Sequence, residues 1–510
     1  MLQSAGTRSG IGGSRLASWT DGAPQDTVDG MRQLTSLDAQ FLAMESASQY
    51  GHVGGLAVLD PSTRPGGLDL ASVHELIAQR LPLVPPLRWR LAEVPLSLDY
   101  SYWVDDPDFD LEFHVREIAL PAPGNETQLA EQVARIVARP LDRRRPLWEL
   151  YLIQGLEDGH AAVLTKIHHA VVDGLSGAEI MAALLDLTPE GRDVPESSER
   201  FGRMPGSTEM LLRGVVGALK FPVRFARSAP AALPNLAEVR SLAVVPGVGT
   251  FGQVVKRTRE VALRRPRHKS LPGLPTPRTP FSGRVSGHRK VAFGQLSLAE
   301  VKAVKDRHGT TVNDVVVALC AGAVRRWLIE HDALPAEPLV AQIPISVRTE
   351  EQTGTYGNRI MLQTTPLFTQ IADPIERLRL THDALGDMKQ RHRALPAELL
   401  QDANHFIPPA VFALAARSTF ALATSAAGRP PWNLVISNVP GPQLPLYLAG
   451  ARLVANYPIS VITDGMGLNI TVMSYCGHLD FGLIADRDQM PDLHLLIQWL
   501  REELALLTKE

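Results

Sequence analysis

A basic stretch rich in proline and glycine, from about Pro195 to Ser286, divides this chain of 510 residues into two parts. Its segment from Glu209 to Lys269 contains twelve Lys and Arg residues but only three Glu residues. Proline and glycine interrupt regular secondary structure, and a stretch this rich in both is more typical of a connector than of a packed core. We therefore predict two ordered domains joined by a basic linker that contains two or three helices.

The two parts each mix strand-like and helix-like segments without strict alternation between them. The apolar runs "LWELYLIQGL" and "AAVLTKIHH" are separated by a short segment that contains Glu157, Asp158 and Gly159, which predicts a β-hairpin. Phe109, Leu111, Phe113 and Val115 alternate with polar residues and so predict another strand. Irregular mixing of this kind favours an α+β fold with mixed sheets over a doubly wound fold. The predicted regions are a disordered tail over 1–30, an N-terminal domain over 31–195, the linker over 196–285 and a C-terminal domain over 286–510.

Composition narrows the class of protein further. With 45% hydrophobic residues, the chain can bury a large core, and its net charge of −3 gives no general attraction to nucleic acid. The cysteines, Cys320 and Cys476, stand in apolar runs, so we expect two buried, reduced thiols and a cytoplasmic setting. The N-terminal residues lack the apolar core of a signal peptide. The best candidate for a membrane span, "AVFALAARSTFALATSAAG", contains Arg417 and is more typical of a buried helix.

The segment "KIHHAVVDGLSG" carries the strongest chemical signal in the chain. A predicted strand ends at His168 and His169, and Asp173 and Gly174 follow in a predicted turn, where the glycine can adopt a positive φ. Imidazole has an ordinary pKa of about 6.5, so at neutral pH it can take the proton of an attacking hydroxyl group. The pattern is therefore compatible with transfer of an acyl group from a thioester to an alcohol, without a covalent intermediate.

Other interpretations of the histidine pair stay open at this point. A histidine at the end of a strand often has only a structural role. A metal site would need a third ligand at recognisable spacing, and the sequence contains neither an HExxH pattern nor paired cysteines. The segment "GLSGA" does not match the GxSxG pattern of serine hydrolases. A cysteine nucleophile is disfavoured by the apolar surroundings of both cysteines.

Resemblance to a known family decides between these interpretations. "HHAVVDG" resembles the HHxxxDG motif of the CoA-dependent acyltransferase superfamily. Further segments resemble, in the same order, those of the bacterial wax ester synthase/diacylglycerol acyltransferase family, and together they cover most of the chain from Leu34 onward. They are "LTSLDAQFLAMES", "HVGGLAVLD", "DFDLEFHVR", "RPLWELYLIQGL", "VNDVVVALCAGAVRRWL", "PISVR", "YGNRI" and "SNVPGP". The chain departs from plant and peptide-condensing relatives in having "DFGLIAD" in place of their DFGWG motif.

The resemblance implies a fold and a set of site residues. The expected fold is α+β, with two chloramphenicol-acetyltransferase-like domains and an active-site tunnel between them. The catalytic histidine of the family matches His169, and His168 is expected to be a supporting neighbour. Asp173 matches the aspartate of the motif, and we expect it to organise the loop through an arginine, with orientation of the imidazole as the second possibility.

Four further residues are candidates for the lining of the substrate tunnel: Gly174, Asn313, Asp314 and Asn438. Asn313 and Asp314 open a predicted helix, where capping is the alternative role. The resemblance implies no metal and no cofactor, because acyl-CoA is a substrate.

The expected activity is that of an acyl-CoA:1,2-diacylglycerol O-acyltransferase, which forms triacylglycerol and releases CoA. Synthesis of wax ester from a fatty alcohol is the close alternative. Two other classes stay open, a weakly active lipid-binding protein of the family and an ester-forming enzyme that depends on an acyl carrier. The expected partners are long-chain acyl-CoA, diacylglycerol or a fatty alcohol, and no nucleic acid. The oligomeric state is not indicated.

A protein of this kind must also reach a lipid acceptor. We expect it in the cytoplasm, bound peripherally to the inner face of the plasma membrane or to lipid bodies. The segment "MLLRGVVGALKFPVRFARS" mixes aliphatic residues with Arg213, Lys220, Arg224 and Arg227, which is typical of an interfacial amphipathic helix. The alternatives are a solvated linker and a segment that holds the phosphates of CoA. The helix around Trp499 is the next candidate for lipid contact.

Overall fold

The computed structural model describes residues 27–28, 31–172, 177–194, 204–232, 276–346, 360–393 and 429–509. The helices of these ranges are α1 (Ser36–Met44), α2 (Leu70–Arg80), α3 (Leu111–His114), α4 (Glu126–Val137), α5 (His169–Val172), α6 (Gly177–Leu184), α7 (Ser207–Ala232), α8 (Leu298–His308), α9 (Val312–Glu330), α10 (Pro374–Arg393) and α11 (Leu495–Lys509). The strands are β1 (Thr27–Val28), β2 (Met31–Gln33), β3 (His52–Asp60), β4 (Trp89–Ala92), β5 (Tyr102–Asp105), β6 (Val115–Ala119), β7 (Trp148–Gln154), β8 (Ala161–His168), β9 (Arg289–Ser297), β10 (Leu339–Ser346), β11 (Ile360–Leu367), β12 (Leu434–Val439), β13 (Tyr447–Leu448), β14 (Ala451–Ile459), β15 (Leu468–Tyr475) and β16 (His478–Asp486).

The strands form two large sheets and one small sheet. The first large sheet has the order β13-β14-β3-β8-β7-β6, and the second has the order β11-β10-β12-β15-β16-β9. The small sheet has the order β1-β2-β5-β4. Both large sheets contain parallel and antiparallel pairs, for example β6 parallel to β7 and β7 antiparallel to β8. The expected α+β class with mixed sheets is confirmed.

The strand that leads to the histidine pair lies in the middle of the first sheet. β8 pairs with β3 on one side and with β7 on the other, and the β7–β8 pair is the predicted hairpin. Side chains at alternate positions of β8 lie on opposite faces of the sheet and pack into two different hydrophobic cores. Val163 and Ile167 belong to one core, and Ala162 and Leu164 belong to the other. Burial on both faces fixes the register of the strand, because a slip of one residue would exchange the two sets. The end of β8 is therefore a rigid place to present a side chain.

The first sheet is completed by strands from the C-terminal part of the chain. β14 pairs antiparallel with β3, and Asn456 lies opposite Ala57. β14 also crosses β16 so closely that a Cβ atom at Gly482 would lie 1.8 Å from the carbonyl oxygen of Pro458. Only glycine leaves room for such an approach of two backbones. The C-terminal part therefore contributes strands to both large sheets.

The strand predicted from Phe109 to Val115 is wrong over its first part, which forms a short helix. Residues Leu111–His114 form α3, although apolar residues alternate here, and the strand β6 begins only at Val115. The carboxylate of Asp110 accepts hydrogen bonds from the backbone N–H groups of Glu112 (3.1 Å) and Phe113 (3.3 Å). Such capping offers the backbone a helical turn and outweighs the alternation of apolar residues.

The cysteines differ in their surroundings. Cys320 is fully buried in α9, and burial raises the pKa of its thiol to about 12. Cys476 lies in the tight turn between β15 and β16 at a φ of 41°, and it is partly exposed. The expectation of a buried thiol is correct for Cys320 and wrong for Cys476, because the apolar run around it ends in a turn.

Several expectations fall on residues outside the described ranges. These include most of the predicted tail, most of the linker and the candidate span over 410–428. Within the described ranges, none of the helices is both long enough and apolar enough to cross a bilayer.

Candidate active site

The histidine pair lies where β8 ends and α5 begins. The backbone N–H of His168 donates to the carbonyl oxygen of Leu147 (2.9 Å) on the β7 side. The backbone N–H of His169 donates to the carbonyl oxygen of Gly51 (2.7 Å), next to the start of β3. The neighbouring strands thus hold the backbone of both residues.

His169 has an apolar surrounding. Its ring stacks on the ring of Phe41, with 3.8 Å between centroids and 17° between planes. Its Nδ1 atom is buried and has no hydrogen-bond partner among the described residues. Burial, followed by the charge of His168, lowers the pKa of His169 to about 4. The ring is consequently neutral at physiological pH and able to accept a proton.

His168 is fully buried and held from two sides. Its Nδ1 atom accepts a hydrogen bond from the backbone N–H of Ala170 (3.1 Å), so the neutral ring carries its proton on Nε2. Nε2 lies 3.2 Å from Oε1 of Glu45, outside good hydrogen-bond alignment. These contacts hold the ring of His168 in place, and its supporting role in the reaction stays a prediction.

Helix α1 brings two side chains to the histidine pair. It starts with a capping box, in which the Asp38 N–H donates to Oγ1 of Thr35 (3.1 Å) and the Thr35 N–H donates to Oδ2 of Asp38 (3.2 Å). The helix ends at Met44, and Glu45 follows in an extended conformation. Phe41 thereby reaches His169, and Glu45 reaches His168.

Two of the predicted site residues, Asp173 and Gly174, lie outside the described residues. The arginine partner expected for Asp173 therefore stays a prediction.

The other candidates occupy the junction of α9 and β12. Oδ2 of Asp314 accepts the backbone N–H of Thr311 (2.8 Å) in a capping box and also lies 2.7 Å from Nδ1 of His382. Asp314 thus has the capping role that was the alternative for it. Asn313 is partly buried, and its Oδ1 accepts a hydrogen bond from Nδ2 of Asn438 (3.4 Å). The structure brings Asn313 and Asn438 together.

Sequence reasoning missed the residues that surround the histidines: Phe41, Glu45, Gly51 and Arg143. Each lies in a different segment from the motif. The packing of α1 and of the start of β3 against β8 and α5 brings in the first three, and Arg143, after α4, reaches the site by its hydrogen bonds to Glu45 and Leu42. Their signal in the sequence is weak, because an isolated Glu or Arg is most often a surface residue.

Comparison with known proteins shows to which class of enzyme this chain belongs. A family model for the wax ester synthase/diacylglycerol acyltransferase catalytic domain matches residues 34–316, and a model for the WS/DGAT C-terminal domain matches residues 356–508. The chain is therefore an acyltransferase with both domains of this class. More narrowly, it belongs to the wax ester synthase/diacylglycerol acyltransferase family, as the resemblance of its motifs predicted.

Individual relatives support the same assignment. A putative diacylglycerol O-acyltransferase of Mycobacterium tuberculosis is 39% identical over 91% of this chain and 87% of that protein. A probable diacylglycerol O-acyltransferase of the same organism is 34% identical over 92% of this chain and 96% of that protein. The solved wax ester synthase/diacylglycerol acyltransferase of Marinobacter aquaeolei VT8 superposes with a TM-score of 0.66 at 31% identity, over 93% of this chain and 98% of that chain.

A more distant structure shares the fold alone. The first condensation domain of the calcium-dependent antibiotic synthetase superposes with a TM-score of 0.52 at 17% identity, over 94% of this chain and 97% of that chain. The expected two-domain fold is thus confirmed.

Proposed function

We propose that this acyltransferase moves a long-chain acyl group from acyl-CoA to 1,2-diacylglycerol, giving triacylglycerol and free CoA. The observation that carries the proposal is the partly buried, neutral ring of His169 at the end of a rigid central strand. The names of the mycobacterial relatives support diacylglycerol as the acceptor.

The proposed mechanism uses His169 as the general base. Its ring takes the proton of the acceptor hydroxyl while the hydroxyl oxygen attacks the thioester carbonyl carbon. Collapse of the tetrahedral intermediate breaks the carbon–sulfur bond, and the imidazolium returns its proton to the departing thiolate of CoA. Burial disfavours the charged imidazolium, which favours this return. Nδ1 is buried, which leaves Nε2 as the atom that meets the substrate.

The remaining site residues have supporting roles in this proposal. Asp173 organises the loop after α5 through an arginine, and Gly174 permits the turn. Asn313 and Asn438, which share a hydrogen bond, line the tunnel between the two domains.

A second acceptor is favoured by the solved relative, whose name includes wax ester synthase. In that case the hydroxyl group of a long-chain alcohol replaces that of diacylglycerol, and the same base serves both. Product analysis distinguishes the two. Purified protein receives palmitoyl-CoA with either dioleoylglycerol or hexadecanol, and chromatography identifies the neutral lipid formed. Triacylglycerol as the main product supports the proposal, wax ester supports the alternative, and absence of both products contradicts catalysis.

We also propose that α7 contacts the lipid surface from which the acceptor comes, at the inner face of the plasma membrane or at lipid bodies. One face of α7 lies against the small sheet and its connecting loop, where a Cβ atom at Gly214 would be 2.5 Å from Val94 and one at Gly217 would be 1.8 Å from Asp99. The other face exposes between 41% and 74% of each of its aliphatic residues. These are Leu211, Leu212, Val215, Val216 and Leu219. Exposed aliphatic clusters of this kind mark contact surfaces, and the basic residues of the same helix suit anionic headgroups.

A further inference from the structure

Glu45 lies at the centre of a contact network beneath the histidine pair. Its Oε1 atom accepts the backbone N–H of Gly51 (2.8 Å) and lies 3.2 Å from Nε2 of His168. Its Oε2 atom accepts hydrogen bonds from Nη2 (2.7 Å) and Nε (3.2 Å) of Arg143. One carboxylate therefore joins α1, the start of β3, the end of β8 and the segment after α4.

Gly51 links this carboxylate directly to the backbone of His169. Its N–H group donates to Glu45, and its carbonyl oxygen accepts the N–H of His169 (2.7 Å). A Cβ atom at Gly51 would lie only 2.6 Å from Nε2 of His168. Gly51, Glu45 and His168 are thus packed so closely that a shift of one displaces the others.

Arg143 fixes the position of the carboxylate. Besides Glu45, its Nη2 atom donates to the carbonyl oxygen of Leu42 (2.7 Å), one turn earlier in α1. Burial alone would raise the pKa of Glu45, but its interactions with His168, the Gly51 N–H and Arg143 lower it to about 2. The carboxylate is therefore charged at neutral pH, and removal of this side chain would leave the Gly51 N–H and the partly exposed Arg143 guanidinium without their acceptor.

We propose that Glu45 is a positioning residue for His169, which it holds in place through Gly51 and His168. This inference rests on the proposed role of His169 as the base. The physical reason is that a general base must reach its proton within hydrogen-bond distance, and a displacement of about 1 Å can cost about 100-fold in rate.

The test compares Glu45→Gln and Glu45→Ala with the wild type in steady-state acyl transfer. Gln keeps an acceptor for the Gly51 N–H but places an amide where Arg143 needs a carboxylate, and Ala removes both. We expect kcat per folded molecule to fall about 10- to 100-fold for Ala and less for Gln, while KM for acyl-CoA stays within about threefold. Glu131→Gln is the matched control, because Glu131 forms an exposed pair with Arg135.

A double-mutant cycle separates positioning from a purely structural role. If Glu45 acts through His169, the variant with both Glu45→Ala and His169→Ala should be no slower than His169→Ala alone. A further loss in the double variant of the same size as in Glu45→Ala overturns the proposal, and so does a wild-type kcat in folded Glu45→Ala. An active His169→Ala variant would instead contradict the proposed base. If Glu45→Ala does not fold, the same cycle is measured with Glu45→Gln and with Gly51→Ala in its place. Gly206→Ala is then the control, because a Cβ atom at Gly206 would have no neighbour within 4 Å among the described residues.

Discussion

At the scale of single residues, the surroundings of His169 set both its charge and its direction. The Phe41 ring covers one face, and the Gly51 carbonyl fixes the backbone, so the side chain has little freedom. Resemblance to the family's motif singled out His169 as the catalytic histidine, and this assignment stays a prediction. The motif could not predict Phe41, Glu45 or Arg143, because these residues are distant in sequence and reach the site only through the packing of helices and strands.

The first prediction concerns His169. We expect His169→Ala to lower kcat at least about 100-fold with little change in fold, since a positioned general base contributes about 10²- to 10⁴-fold. His168→Ala should reduce kcat less, because His168 supports the base and does not meet the substrate. Steady-state assays with circular dichroism as the folding control provide the measurement. Activity near that of the wild type in folded His169→Ala would rule out the mechanism.

The second prediction concerns pH. A base works only when it is unprotonated, and burial moves the pKa of His169 down from 6.5 to about 4. The decline of kcat/KM at acidic pH should therefore occur at a lower pH than for an ordinary histidine. We expect kcat/KM to stay constant from about pH 8 to about pH 5. A decline centred near the ordinary pKa of histidine, in protein still folded by circular dichroism, would contradict the assigned surroundings of the ring.

At the scale of elements, periodicity predicted most helices and strands near the site. The β7–β8 hairpin and the helix α9 follow from apolar patterns that tertiary packing reinforces. Periodicity gave the wrong prediction for Leu111–His114. These residues form a helical turn in spite of the alternating pattern, because the side chain of Asp110 caps it. The pairing of β14 with β3 had no local signal at all, since strand order depends on contacts between distant segments.

The third prediction concerns α7. Replacement of Leu212, Val216 and Leu219 by Ser should weaken binding to anionic vesicles, because it removes exposed aliphatic surface that would enter the lipid interface. Vesicle flotation across a salt series is the measurement. The matched control replaces Ile329 and Leu444, exposed aliphatic residues outside α7, by Ser. Equal binding of the α7 variant, the control and the wild type would mean that the lipid contact lies elsewhere, with the helix around Trp499 as the next candidate.

At the scale of the whole molecule, the two parts of the chain share one framework. β14 completes the first sheet, and the loop between α1 and β3 receives contacts from the C-terminal part. Nη2 of Arg289 donates to the carbonyl oxygen of Ser48 (2.6 Å), and the backbone N–H of Asp464 donates to Oε1 of Gln49 (3.1 Å). That loop lies between Glu45 and Gly51, so the C-terminal part also supports the site.

The fourth prediction follows from this shared framework. A protease site inserted between residues 240 and 260, followed by cleavage, should leave the two fragments associated, because strand pairing and not the linker joins them. We expect a single peak in size-exclusion chromatography and acyl transfer within about twofold of the uncut protein, since the contacts around the site do not depend on the cut. Two separate peaks under native conditions would show that the linker holds the parts together.

The crossing of β14 into the first sheet also affects how such proteins can be recombined. A chimaera joined within the linker would combine the N-terminal half of one relative with the strands β13 and β14 of another. Its β3 would then meet side chains that had not been selected beside it, whereas the crossing of Gly482 with Pro458 would be unchanged, because both residues belong to the C-terminal half. Exchange of Tyr447–Leu448 and Ala451–Ile459 together with the N-terminal half would keep β3 beside its own β14 but would place a foreign Pro458 against Gly482. The two halves should therefore be exchanged together, because neither half is an independent module.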